Sequence, residues 1–372
     1  MKSQLIHFAG VLLLGFTLTS GARAAPLTDR SNRLAQAKQM QQRGEYNRAE
    51  TLLNQLLVVH PKDTQVIMLR GIGYLQMARF RQAHADFLSV CELNPKQAEA
   101  FYNRGVASLA LGDYANAIVD FGRALKMKPS DIRPKRSRAI AYRAVGRPQR
   151  ALTDLNQLIQ SSSKTAGDFR ERALVYLALA KPNRALKDAI EATKQAPKNA
   201  QNWMVRAELS ERVGRMTAAI EATEQAIRIE PDNASHRLIK ARLLRRLNRP
   251  ADALAVLDKA LNGSEVPPLM FVERGELRGQ KGDTEGALAD FEAAVKLTPK
   301  NGRAQFGLAV TLARLKKFDR AILAARRAAH VSPHHVEVLR MLATLLETQG
   351  NPTEAATFRQ RAQALERPPT AQ

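Results

Sequence analysis

Small and apolar residues recur along the chain at helical spacing. Phe101, Gly105, Ser108 and Leu109 fall at i, i+4, i+7 and i+8, one face of a helix. Gly112-Asp113 interrupts that face, and Ala117, Phe121, Ala124 and Leu125 begin a second stripe. The two stripes predict a pair of helices joined by a tight turn. No window alternates apolar and polar residues as a strand would, so helix is expected over well over half of the chain.

The same arrangement returns every 34 residues. Pro61, Pro95, Pro129, Pro197, Pro231, Pro299 and Pro333 lie on one grid, with Ser163 and Glu265 at the two points that lack proline. Twelve positions before each grid point stands alanine: Ala49, Ala83, Ala117, Ala151, Ala185, Ala219, Ala253, Ala287 and Ala321, with Ala355 continuing the series. Twelve further back comes glycine or alanine, from Ala37, Gly71 and Gly105 through Gly275, Ala309 and Ala343. Small residues at Gly105 and Ala117 are expected where two helix backbones approach. Pro148, Pro182, Pro250 and Pro352 share one phase and open the second helix of their units, where the missing N–H has no partner to lose. A period of this size means stacked units.

With its small residues at the helix crossing, alanine in the second helix and closing proline, the chain resembles the tetratricopeptide repeat. The fullest copy is Phe101 to Pro129, with Gly105, Tyr114, Ala117, Phe121 and Ala124 in phase. The resemblance implies an all-α, right-handed superhelical solenoid of about ten helix-turn-helix units. They start near residues 30, 64, 98, 132, 166, 200, 234, 268, 302 and 336, within an array spanning 30–367. It also implies that the first helices line a concave groove and the second helices form the outer wall.

The ends read differently. Lys2, the apolar run Leu5 to Leu18 and the small-x-small signal Ala22-Arg23-Ala24 make residues 1–24 a secretory signal peptide, with an uncleaved anchor as the alternative. The style of the leader suggests a Gram-negative envelope, hence the periplasm, with export to the medium as the other destination. Residues 25–29 form a short N-terminal extension and 368–372 a C-terminal tail. No later segment is long and apolar enough to span a membrane. The single cysteine, Cys91, rules out an internal disulfide framework and is expected to pack beside Phe87 and Val90 as a small hydrophobe.

The chain holds 58 lysines and arginines against 35 acids, a net charge of +23. This speaks to partners and not to fold. Arg70, Arg104, Arg138, Arg172, Arg206 and Arg274 share one phase of the first helix, with Lys240 filling it in unit seven. Sixteen residues after five of these arginines come Asp86, Asp120, Asp154, Asp188 and Asp290. The expectation is structural Arg–Asp pairs tying the two helices of a unit, with sharing by the next unit left open.

Two other basic stretches, Arg133 to Arg150 and Arg237 to Arg249, contain no acid, and a third, Arg303 to Arg327, has only Asp319. The resemblance places Arg136, Ser137, Ile140 and Arg143 on the groove face of unit four, and Arg242, Arg245 and Arg246 on that of unit seven. Arg136, Arg143, Arg242, Arg245 and Arg246 are the candidate partner-binding residues. The family's carboxylate clamp is not matched, since Asn103 lacks its lysine partner. Both basic units are followed by turns without the grid proline, Ser161 to Thr165 and Asn262 to Pro268, which are candidate hinges.

No phosphate loop, nucleophile elbow or zinc-binding helix motif is present, and no segment outside the repeats could hold a catalytic domain. The chain is therefore expected to be no enzyme and to use no cofactor. His330, His334 and His335 flank Pro333 without the cysteine or paired carboxylates a metal site needs, so no metal is assigned. Scarce aromatics argue against nucleic acid; Phe101, Phe169, Trp203 and Phe271 share a phase that packs between helices. The expected function is a periplasmic protein–protein interaction scaffold. It would bind an acidic peptide or partner helix in its groove during envelope assembly, secretion or polysaccharide export. The alternative is a binder of polyanions, acidic polysaccharide or lipid head groups, through units four and seven.

Overall fold

The structure is a computed structural model, and it describes residues 25–261 and 266–366. The leader, four residues of the second irregular turn and the C-terminal tail lie outside the described residues. All regular structure within them is α-helical, as in an all-α helical repeat solenoid. The chain forms two compact units that divide between Ala196 and Pro197.

The first unit holds α1 (Ala25–Gln42), α2 (Tyr46–Val59), α3 (Thr64–Gln76), α4 (Phe80–Leu93), α5 (Ala98–Leu111), α6 (Tyr114–Met127), α7 (Arg133–Ala144), α8 (Pro148–Gln160), α9 (Ala166–Ala178) and α10 (Pro182–Gln195). The second holds α11 (Ala200–Arg212), α12 (Met216–Ile229), α13 (Ala234–Arg246), α14 (Pro250–Ala260), α15 (Pro268–Lys281), α16 (Thr284–Leu297), α17 (Gly302–Arg314), α18 (Phe318–Val331), α19 (Val336–Thr348) and α20 (Pro352–Glu366). Residues 25–29 are thus the first turn of α1. In each unit the helices pair in order and every pair packs on the next.

Short-range chemistry sets the boundaries. Asp63, Asn199, Asn233 and Asn301 accept backbone N–H bonds at the starts of α3, α11, α13 and α17. Second helices end where a grid proline follows. His60, Asn94, Lys128, Ala196, Glu230, Thr298 and Ser332 each precede one, and all have left the helical region, with ψ of 70–81°. Between the two helices of every pair one residue turns left-handed: Gly44, Ala78, Gly112, Gly146, Ala180, Gly214, Asn248, Gly282, Lys316 and Gly350. Glycine reaches that conformation without cost; Ala78, Ala180, Asn248 and Lys316 do not.

The core follows the repeat. All ten second-helix alanines, Ala49 to Ala355, are fully buried. The first-helix small residues have a different neighbour from the one the sequence suggested. A Cβ on Gly105 would meet the ring of Phe121, and one on Gly71 the ring of Phe87. What limits them is therefore an aromatic side chain sixteen residues on rather than an approaching backbone. Phe291 stands to Gly275 in the same way. Where the first helix carries alanine, as at Ala139 and Ala241, the residue sixteen on is smaller than phenylalanine: Leu155 and Leu257.

Candidate functional site

The first helices carry most of the paired charge. In α3, α5, α7, α9 and α15 one arginine grips the aspartate of its partner helix through two donors. Arg104 Nε and Nη2 lie 2.8 and 2.6 Å from the carboxylate of Asp120. Arg70 with Asp86, Arg138 with Asp154, Arg172 with Asp188 and Arg274 with Asp290 repeat the fork. All five aspartates are buried. A forked guanidinium–carboxylate pair satisfies both groups in a low-dielectric setting, and losing either partner strands a buried charge.

Three of these arginines also reach backwards. Arg70 Nη1 donates to Asn54 at 2.7 Å, Arg172 Nη1 to Asn156 at 3.0 Å and Arg274 Nη1 to Asp258 at 2.9 Å. Lys240 does the same to Glu224 at 2.7 Å. The acceptor stands sixteen residues before the donor in every case, and each of the three arginines thereby joins the second helix behind it to the one ahead. The sequence carried this signal at 54, 156, 224 and 258, but it is visible only once the phase sixteen residues back is inspected. Arg104 and Arg138 have Leu88 and Gly122 there, which offer no side-chain acceptor.

The candidate binding arginines all have acidic partners, each on a neighbouring first helix of the same compact unit. Arg136 Nε donates to Asp168 at 2.6 Å, and its Nη2 donates to the Ser163 carbonyl at 2.6 Å. Asp168 in turn accepts the Thr165 N–H at 2.8 Å in a capping box that starts α9. Arg136 therefore fastens the turn that lost its grid proline. Arg143 reaches Glu171 of α9 at 3.1 Å. Arg246 pairs with Glu211 of α11.

The remaining two converge with an arginine of the third basic stretch. Glu273 of α15 is 2 % exposed. It accepts Arg242 Nε at 2.9 Å and Arg245 Nη1 at 3.0 Å from α13, and Arg303 Nη1 at 3.0 Å from α17. Glu276, one turn on, takes Arg245 at 2.9 Å and Arg303 through two bonds of 2.5 Å. Burial pushes the Glu273 carboxyl up, but the Arg303 hydrogen bond and the charges of Arg303 and Arg245 outweigh it and hold the group below the usual glutamate range. Three guanidinium groups thus face two carboxylates. Their side chains remain 39, 33 and 39 % exposed for Arg242, Arg245 and Arg303. Sequence inspection missed Arg303 because it stands on α17, four helices along the chain from Arg242 and Arg245 on α13.

Elsewhere the chemistry is sparse. Cys91 is buried in α4, and burial pushes its thiol up to about 11. No group of three metal-ligating side chains occurs among the described residues. His335 packs against Phe306, and His330 lines a cleft of about 340 Å³ with Arg326, Phe358 and Arg361. Phe101 and Phe169 are buried, and Trp203 donates its Nε1–H to the Pro197 carbonyl at 2.7 Å. No described helix is long and apolar enough to cross a membrane.

A family model described as tetratricopeptide repeat matches residues 68–132, 170–234, 213–267, 272–332 and 317–370. No curated protein sequence matches the chain. Among solved structures, a tetratricopeptide repeat protein from Parabacteroides merdae is 19 % identical, with 67 % of this chain and 98 % of that one covered and a TM-score of 0.50. The Cut9–Hcn1 heterotetramer of the APC/C is 15 % identical over 90 % of this chain and 86 % of that one, with a TM-score of 0.47. PilW, a type IV pilus biogenesis factor, is 25 % identical over 54 % of this chain and 92 % of its own, with a TM-score of 0.46.

Proposed function

The chain belongs to the tetratricopeptide repeat family, a family of protein–protein interaction scaffolds, and on that footing we propose that it binds an acidic peptide or partner helix on its first-helix face without catalysis. The observation that carries this is the cluster of Arg242, Arg245 and Arg303 around Glu273 and Glu276. It leaves one guanidinium charge without an opposing carboxylate. Arg242 engages Glu273 through Nε alone, which leaves its outer N–H groups without an acceptor among the described residues. An incoming carboxylate completes the cluster and meets donors already held in place, which lowers the ordering cost of binding. Arg136 and Arg143 fix α7 against α9 within the first unit. The leader at residues 1–24 directs the protein to the periplasm, where envelope assembly, secretion or polysaccharide export supplies the partner.

The test is capture from envelope extract on immobilised residues 25–372, beside Arg242→Glu/Arg303→Glu. A small set of proteins held by the wild type, lost by the variant and released by salt is the expected result. Identical captures by both remove the cluster from the binding face.

A further inference from the structure

The tips of the fourth and fifth helix pairs, both in the first unit, follow one plan. Ala144-Val145-Gly146-Arg147-Pro148-Gln149-Arg150 joins α7 to α8, and Ala178-Leu179-Ala180-Lys181-Pro182-Asn183-Arg184 joins α9 to α10. Their backbones match as well. Gly146 and Ala180 have φ of +69° and +55°. The Arg147 N–H donates to the Tyr142 carbonyl at 2.8 Å, and the Lys181 N–H to that of Tyr176 at 2.9 Å. The two tips therefore present the same side chains in the same attitude, one helix pair apart.

Arg147, Arg150, Lys181 and Arg184 are exposed, and none pairs with a carboxylate among the described residues. Arg150 only lies over the Tyr142 ring, at 5.9 Å. This sets them apart from the forked first-helix arginines. In the phase of Arg147, Arg249 holds Asp252 at 2.6 Å, and Asp113 and Asp283 are acids. Arg215 and Lys317 also stand there, but the phase of Arg150 then holds Ala218 or Arg320, which pairs with Glu292. Beside the four cations stand exposed Ala144, Val145, Ala178 and Ala180 and half-buried Leu179, with no acid in either tip.

We propose that these two tips form a docking surface for an anionic lipid bilayer. The occupant follows from the pairing of free positive charge with exposed apolar side chains. A soluble polyanion offers phosphate, sulfate or carboxylate but no apolar phase. A bilayer interface takes both, the cations at the head-group phosphates and Val145 with Leu179 at the acyl boundary. The surface is independent of the first-helix cluster, which lies in the other unit, so each can fail alone.

The test is co-sedimentation of residues 25–372, which contain every described helix, with vesicles of phosphatidylcholine alone or mixed with phosphatidylglycerol. Binding is expected only to the mixed vesicles. Each cation near such a surface contributes a factor of about five, so Arg147→Gln/Lys181→Gln should weaken partitioning about 25-fold and the fourfold glutamine variant several hundredfold. Val145→Ser should weaken it at constant charge. Unfolding in urea at the wild-type midpoint shows that the variants are folded; Arg150→Gln/Arg184→Gln, which leaves both turns untouched, replaces any that is not. Equal binding of wild type and variant to mixed vesicles overturns the proposal. So does capture of soluble dextran sulfate through the same four residues without vesicle binding, which makes the tips a site for soluble polyanions.

Discussion

The ring of Phe121 fills the place where a side chain on Gly105 would stand: a Cβ there would lie 2.7 Å from the ring edge. Phe121 is fully buried, so the ring has nowhere to go. Gly105→Ala should therefore destabilise by about 1–3 kcal/mol through overpacking. Phe121→Leu in the same chain should recover part of that loss, because it recreates the Ala139–Leu155 pairing already present. Urea unfolding of the two single variants and the double one measures the coupling; additive losses would show that the two side chains do not compete for this space.

Arg104 and Asp120 form the most buried of the Arg–Asp forks, with side-chain exposures of 13 and 3 %. Arg104→Ala leaves a buried carboxylate without its partner, and a loss of about 3–5 kcal/mol is expected. Arg48→Ala, which removes an exposed pair with Glu45, should cost less than about 1 kcal/mol. Equal urea midpoints for the two variants would show that the fork contributes no more than a surface pair.

Ala78 holds a φ of +55° that costs an L-residue about 1 kcal/mol, and Gly112 holds +82° in the same phase of the next pair. Ala78→Gly removes the strain but gives the unfolded chain more freedom, so a net gain of about 0.5 kcal/mol is expected. Gly112→Ala should lose about 1 kcal/mol. A gain for Ala78→Gly and a loss for Gly112→Ala in urea unfolding are the signature; a loss for Ala78→Gly with a gain for Gly112→Ala would mean that unfolded-chain entropy dominates.

The Glu273 cluster gives stability a definite pH dependence. A carboxyl held below its ordinary value contributes stability that is complete above the unfolded glutamate range, about pH 4.3, and is lost as pH falls through the lower folded value. Glu273→Gln should be less stable than wild type at neutral pH, and the difference should shrink as pH drops below about 4. Urea midpoints at neutral and acid pH read it directly. A difference that stays constant across that window would assign the loss to shape and not to charge.

Cys91 should behave as a core residue towards thiol reagents. With its thiol pushed up to about 11 by burial, only about one molecule in a thousand carries thiolate at pH 8. Reaction with a chromogenic disulfide should be at least a hundredfold slower in the native protein than in urea. Rapid native labelling would place Cys91 at the surface.

The fold was legible because its signals are local and repeated. Ten alanines in phase and a proline every 34 residues state where helices begin, end and cross. The forward Arg–Asp spacing was equally plain. The surroundings of individual charges were not. Arg136 and Arg143 look free in an acid-poor stretch, yet their partners Asp168 and Glu171 come from the next first helix. Glu273 draws arginines from helices on both sides of it, a convergence that no single stretch of sequence displays. The Phe121–Gly105 relation stayed hidden for a similar reason: a small residue announces close approach without naming what approaches.

The backward and forward bonds of Arg172, to Asn156 and Asp188, both span sixteen residues. Each sets its own partners by counting along the chain and not by position in the whole. Excise the 34 residues from Asp113 to Gly146, and Asp154 and Leu155 fall sixteen positions after Arg104 and Gly105, the offsets that Asp120 and Phe121 held. Length in such a chain is quantised. It grows or shrinks by whole helix pairs, and a shift by any other number of residues misplaces the phenylalanine, the fork and the turn together.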